Sequence, residues 1–202
     1  MDTAQQIESF DQAIKQAEYY TALEDYRTAQ NYYDRAAQLD TESAEPYLGH
    51  AVLALQQDRY VDAEIGFRVA LRMDPQCSKA YAGQAMIAQH HGDLQQAFDL
   101  YLKCLEIDTD NMAALLGLFQ TSCQMGSFAK IIQYLNLYLD LHGDDTAVLF
   151  SLASLYVKDD QFEKAAQTLE RLLFVEPDNT DASDLLEEVH HSLAQKTIAE
   201  TI

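Results

Sequence analysis

The residues with the most metal-binding character are two adjacent pairs, His90-His91 and His190-His191. Neighbouring residues on a helix point about 100° apart, so neither pair closes on one ion easily. No H-E-x-x-H is present, and no Cys stands at finger-like spacing from either pair. They read as solvated or capping histidines. Cys77, Cys104 and Cys123 cannot all pair within one chain and form no C-x-x-C, so reduced thiols are the plain reading. No G-x-S-x-G and no phosphate-cradling glycine loop occurs, and the carboxylates are spread rather than convergent. The expectation is a chain that is not an enzyme, with no metal site and no cofactor.

Charge narrows the partners. In 202 residues, 33 acidic side chains face 13 basic ones, a formal charge of −20 whose field repels phosphate backbones and anionic lipid. Nucleic-acid binding and attraction to membranes therefore lose most of their ground. No window approaches eighteen consecutive apolar residues. Met1 to Phe10 has no basic residue and no apolar core, unlike a secretion signal, so a cytoplasmic protein without membrane insertion is expected.

What must position any functional residue is a repeat. Tyr26, Tyr60, Leu94, Phe128 and Phe162 stand 34 residues apart, as do Ala29, Ala63, Ala97, Ile131 and Ala165. The same offset links Tyr33, Phe67, Tyr101, Leu135 and Leu169, then Ala36, Ala70, Cys104, Tyr138 and Leu172. The uninterrupted register divides the chain into units 10–43, 44–77, 78–111, 112–145 and 146–179, read as one domain over 1–202. Apolar residues recur at helical spacing in two stretches of each unit, so each is a pair of helices. Asp58-Arg59, Gly92-Asp93, Gly126-Ser127 and Asp159-Asp160 break the pairs, with residue types that accept left-handed geometry or cap the next helix. The alanines let the paired helices approach, and the aromatic one turn later fills the space toward the neighbouring unit. In the fourth unit Phe119, Ile131 and Tyr138 replace small residues, which predicts altered packing there. Leu185, Leu186, Val189 and Leu193 share one helical face, which predicts a capping helix over about 180–195.

These columns resemble the tetratricopeptide repeat family, most specifically where Ala63, Phe67, Ala70 and Pro75 meet the Ala, Phe, Ala and Pro of the family pattern. The resemblance covers 10–179. It implies an all-α fold, a right-handed α-solenoid of antiparallel helix pairs whose first helices line a concave face. On that phase the partner-binding surface is Leu48, Gly49, Val52 and Leu55 from the second unit, and Lys79, Ala82, Gly83, Met86 and Gln89 from the third. The fourth unit adds Leu116, Gly117, Gln120 and Cys123, and the fifth Phe150, Ser154 and Val157. Such an apolar stripe facing water marks a binding site. Some relatives clamp the carboxylate end of chaperone tails with basic and amide side chains. Here only Lys79 stands at a matching place, while Ile14, Glu18, Gly49, Val52 and Gly83 fill others, which argues against that ligand.

Gly49, Gly83 and Gly117 are again 34 apart, with Ser151 next. Glycine within a helix costs roughly 0.5–1 kcal/mol relative to alanine, so the column needs a compensation. Two readings stand level: a trough admitting a ligand backbone, or clearance needed by the protein's own packing. Acidity concentrates at the ends, −6 over 1–43 and −4 over 180–202. An apolar groove with acidic flanks suits a partner protein or peptide with apolar anchors and basic residues, which makes the chain an interaction scaffold or adaptor. The alternatives are a chaperone shielding an apolar secreted or membrane-destined client, and a self-assembling module forming homo-oligomers.

Overall fold

The computed structural model describes residues 9–200, with side chains over 9–196. Most of the Met1–Phe10 segment lies outside the described residues. The helices, in chain order, are α1 (Phe10–Ala22), α2 (Tyr26–Leu39), α3 (Glu45–Gln56), α4 (Tyr60–Met73), α5 (Ser78–His90), α6 (Leu94–Ile107), α7 (Met112–Met125), α8 (Ala129–His142), α9 (Thr146–Lys158), α10 (Phe162–Val175) and α11 (Thr180–Glu200). Among the described residues every regular element is α-helical, the expected all-α class. The last helix runs to Glu200 rather than ending near 195. The chain divides into two compact units, residues 1–121 and 122–202, with the boundary inside α7.

Five turns within the hairpins share one backbone device. The residue two before each second helix, or three before α8, lies in the left-handed region: Glu24 (φ 59°), Asp58 (57°), Gly92 (79°), Gly126 (66°) and Asp160 (55°). After two of these, Asp25 and Asp93 cap the following helix, accepting from the Thr28 N–H at 3.1 Å and the Gln96 N–H at 3.0 Å. Glutamate is poorly suited to positive φ, and its exposed side chain makes no ion pair among the described residues. Glu24→Gly is therefore expected to raise stability by about 0.5–1 kcal/mol, relief of the strained φ exceeding the entropy that glycine adds to the unfolded chain. A higher urea midpoint with an unchanged slope is the expected observation, and a lower midpoint would show that the turn carries no strain.

In the first unit the core is a succession of small alanines around one ring per repeat. Ala29, Tyr33 and Ala36 are buried on α2, Ala63, Phe67 and Ala70 on α4, and Ala97, Tyr101 and Cys104 on α6. Cys104 sits in the core as the small residue its column demands. In the second unit α8 packs on α9, α9 on α10 and α10 on α11, with Ala165, Leu169 and Leu172 buried in the same i, i+4, i+7 pattern.

Helix α8 breaks that pattern. It starts at Ala129, one residue late, and buries Ile131, Leu135 and Leu139, an i, i+4, i+8 stripe. Tyr138 stands in the column of Ala36, Ala70 and Cys104, is too large for that slot, and turns aside to pack on the His142 ring at 4.4 Å between centroids. Leu139 enters the core instead, 2% exposed. The departure expected for the fourth unit thus takes the form of a rotated helix face.

Candidate functional site

The glycine column is resolved by packing. A β-carbon added at Gly49 would lie 2.2 Å from the Tyr33 ring, at Gly83 2.2 Å from the Phe67 ring, and at Gly117 2.1 Å from the Tyr101 ring. Each glycine is the socket for the aromatic residue sixteen positions earlier, and all three are buried. The open-trough reading is corrected accordingly: the cleared space is filled by the protein's own rings. Ala82, also placed on the partner-binding face, is buried at 5% exposure. In the second unit Ser151 stands in the glycine column and Leu135 in the ring column, a smaller knob matched to a side chain with a β-carbon.

The Tyr101 ring is fixed at its polar end as well. Its hydroxyl donates to Gln89 Oε1 at 2.7 Å, and the Gln89 amide donates to Gln120 Oε1 at 3.1 Å. Burial pushes the Tyr101 phenol up to about 12 from 10.0. Gln89 and Gln120, expected as partner contacts, spend these groups on each other and on the core ring.

The remaining apolar side chains predicted for the face are left uncovered. Leu48, Val52 and Leu55 are half-buried, while Met86 and Leu116 are 46% and 59% exposed. Within the first unit they border two adjoining hollows. The larger, about 750 Å³, is lined by Ile14 and Glu18 from α1, Tyr33 from α2, Glu45, Leu48, Gly49, Val52 and Gln56 from α3, and Asp74, Cys77 and Lys79 beyond α4. The second, about 380 Å³, takes Val52, Leu55, Gln56, Lys79, Ala82, Gly83 and Met86, and adds Asn111 and Ala113. Val52, Gln56 and Lys79 belong to both, so the two form one groove across α1, α3 and α5.

Sequence reasoning left Ile14 and Glu18 out of the partner-binding set, although Ile14, Leu48 and Ala82, and likewise Glu18, Val52 and Met86, are 34 apart and share columns with it. Gln56, Asp74 and Asn111 sit at helix ends, where a column marks no face. In the second unit Phe150 lines a separate hollow of about 330 Å³ with Thr146, Ala147, Asn179 and Asp181. Ser154 and Val157 are half-buried there, the serine hydroxyl donating to the Phe150 carbonyl at 2.9 Å. Cys123 is half-buried and unpaired with another cysteine.

Burial pushes the Cys77 thiol up from 9.0, opposite to the shift that activates a nucleophile. Around the His90 ring the structure offers an aromatic stack, Tyr60 at 4.0 Å between centroids. No cluster of three or more His, Cys, Asp or Glu able to hold a metal occurs among the described residues, and none of the helices described is long and apolar enough to cross a membrane.

Comparison with known proteins places this arrangement. None of the curated proteins matches the chain in sequence. Among solved structures, Pseudomonas aeruginosa pilF is similar at a TM-score of 0.66, with 18% identity over 92% of this chain and 90% of that one. YrrB, described as a TPR protein with an unusual peptide-binding site, is similar at 0.62, with 17% identity over 89% and 92%. The first TPR of Spaghetti (RPAP3), bound to the HSP90 peptide SRMEEVD, is similar at 0.52, with 18% identity over 60% of this chain and 99% of that one. At such identities the likeness is one of fold. Profiles described as Tetratricopeptide repeat match residues 20–87 and 124–189, and another of the same description matches 78–111. With hairpins recurring at that spacing and profiles matched over most of its length, the chain belongs to the tetratricopeptide repeat family.

Proposed function

We propose that this protein is a non-enzymatic scaffold or adaptor that holds a peptide or helix of a partner protein in the groove of its first unit. One observation carries the reading: along the adjoining hollows Met86 is exposed and Leu48, Val52 and Leu55 are only half-buried, while Ala51, Leu53, Ala54, Ala85 and Ile87 of the same helices are buried in the core. A protein that keeps such a surface uncovered has a use for it. Two structurally similar proteins are described with a peptide-binding site or a bound peptide. The peptide held by Spaghetti, SRMEEVD, carries two glutamates and an aspartate. The groove here is bordered by Glu18, Glu45 and Asp74 against the single Lys79, which disfavours an acidic ligand and favours apolar anchors accompanied by Lys or Arg.

Selection of displayed random dodecapeptides on the purified protein tests this. The expected enrichment is for aliphatic residues with Lys or Arg, lost on Leu48→Glu/Met86→Glu protein that retains its helical circular dichroism. Enrichment that is indifferent to those substitutions would remove the groove as the binding surface. A single recurring motif marks an adaptor, whereas many unrelated aliphatic sequences of equal strength mark a chaperone.

A further inference from the structure

The groove has a polarity that specifies its ligand more closely. Its α1 end carries Glu18 and Glu45, both exposed and both without an ion-pair partner among the described residues. The third acidic group, Asp74, already accepts the Gln76 N–H at 2.9 Å. Glu18 and Glu45 lie close enough to the Tyr33 hydroxyl that, after burial itself, their charges help hold the phenol above its ordinary value. Two free carboxylates thus border a hollow whose wall also includes the apolar side chains Ile14, Leu48 and Val52. The opposite, α5 end is aliphatic, with Met86 exposed beside Leu55. Lys79 stands between the ends and repels a cation placed further along.

From these features we infer that the groove takes an extended peptide segment of the form basic-x-aliphatic-x-aliphatic, the basic side chain seated between Glu18 and Glu45 and the second aliphatic one against Met86. The inference rests on the groove reading above. Its spacing comes from the helices. A cation between α1 and α3 is about one and a half helix spacings from α5, roughly 12–15 Å for axes 8–10 Å apart. Four residues of extended chain cover about 13 Å, and side chains at i, i+2 and i+4 share one face. The middle aliphatic residue then falls on Leu48 and Val52. An extended segment leaves its backbone N–H and C=O groups unpaired, and Gln56, common to both hollows and with no side-chain hydrogen bond among the described residues, offers an amide donor and acceptor at mid-groove. A helical segment has no such need.

Fluorescently labelled, acetyl-capped and amidated Gly/Ser nonapeptides carrying Lys-Ser-Leu-Ser-Leu are the probe, with fluorescence anisotropy as the readout. Wild-type protein is expected to bind this peptide roughly tenfold tighter than the Glu-Ser-Leu-Ser-Leu version, with the difference shrinking at high salt. Glu18→Gln/Glu45→Gln protein is expected to erase the difference, and these exposed positions leave the fold intact. A Lys-Ser-Ser-Leu-Ser-Leu peptide, whose cation points to the other face, is expected to bind no better than the Glu version. Equal binding of the Lys and Glu peptides, or a preference that survives the double Gln change, overturns the cation seat. If that binding is still lost with Met86→Glu, the groove itself stands. Insensitivity to Met86→Glu instead removes the groove. Binding only of peptides with a free amino terminus overturns the inference in favour of terminal-amine capture, and absence of binding by every peptide overturns it outright.

Discussion

Phe67→Ala is expected to destabilise the protein by about 3–5 kcal/mol, the range for emptying a buried aromatic site. The ring is 0% exposed and is enclosed by Ala51, Ala54, Ala63, Ala70, Ala80 and Ile87. These neighbours are mostly single methyl groups on helix backbones, and the longer side chains at hand are Ile87 and the half-buried Leu48, Val52 and Leu55. On its far side the ring meets Gly83, which has no side chain at all. The site therefore collapses only in part, and a cavity term adds to the transfer term. Urea or thermal unfolding gives the measurement. A loss below about 1.5 kcal/mol, small for truncation of a buried aromatic, would mean that the hairpins close up around the gap and that ring-in-socket contacts are not what joins successive repeats.

The second large effect runs against helix propensity. Gly→Ala within an exposed helix gains about 0.5–1 kcal/mol, yet Gly83→Ala is expected to lose about 2 kcal/mol net, because overpacking a filled core costs about 1–3 kcal/mol and at times more. The new carbon would stand 2.2 Å from the Phe67 ring, a distance that demands movement of a ring that is 0% exposed. The protein itself suggests the rescue. Leu135 of the fourth hairpin and Ser151 of the fifth occupy the ring and glycine columns, so Phe67→Leu introduced with Gly83→Ser is expected to cost less than the sum of the two single changes. A double-mutant cycle reads that coupling, expected to exceed 1 kcal/mol for residues in direct contact. Additive effects, or an alanine variant more stable than the parent, would show that the ring does not depend on the glycine.

Much of this was legible before any coordinates. The 34-residue offset read from the columns is also the offset between the starts of α2, α4 and α6, and twice that offset leads on to α10, at Tyr26, Tyr60, Leu94 and Phe162, because a solenoid repeat must present the same face at the same position to be covered by its neighbour. The substitution of Tyr138 into a small-residue column announced trouble in α8, but not its outcome. Whether an oversized side chain spreads the helices or rolls one of them depends on what the next residue can fill, and Leu139 supplied that alternative. The glycine column left two explanations level, since the contact that decides between them joins residues of different columns sixteen apart, which comparison at a single offset does not bring together. The acidic end of the groove was hidden for a related reason. Charge totals by segment register that 1–43 is acidic, whereas the pairing of Glu18 with Glu45 across α1 and α3 exists only once the helices pack.

The ring-and-glycine contacts also give the first unit a direction in time. In each pair the knob, Tyr33, Phe67 or Tyr101, is synthesised before its receptor, Gly49, Gly83 or Gly117, and waits for only sixteen more residues. Contacts so near in sequence close quickly and let a nascent chain order itself behind the ribosome one hairpin at a time. They also make the two ends unequal to damage. A cut after Met73 strips Ala80, Gly83 and Ile87 from around Phe67 and uncovers that side of the ring, whereas a cut before Ser78 leaves the following segment with a vacant notch at Gly83. Premature termination should therefore be the more aggregation-prone lesion of the two.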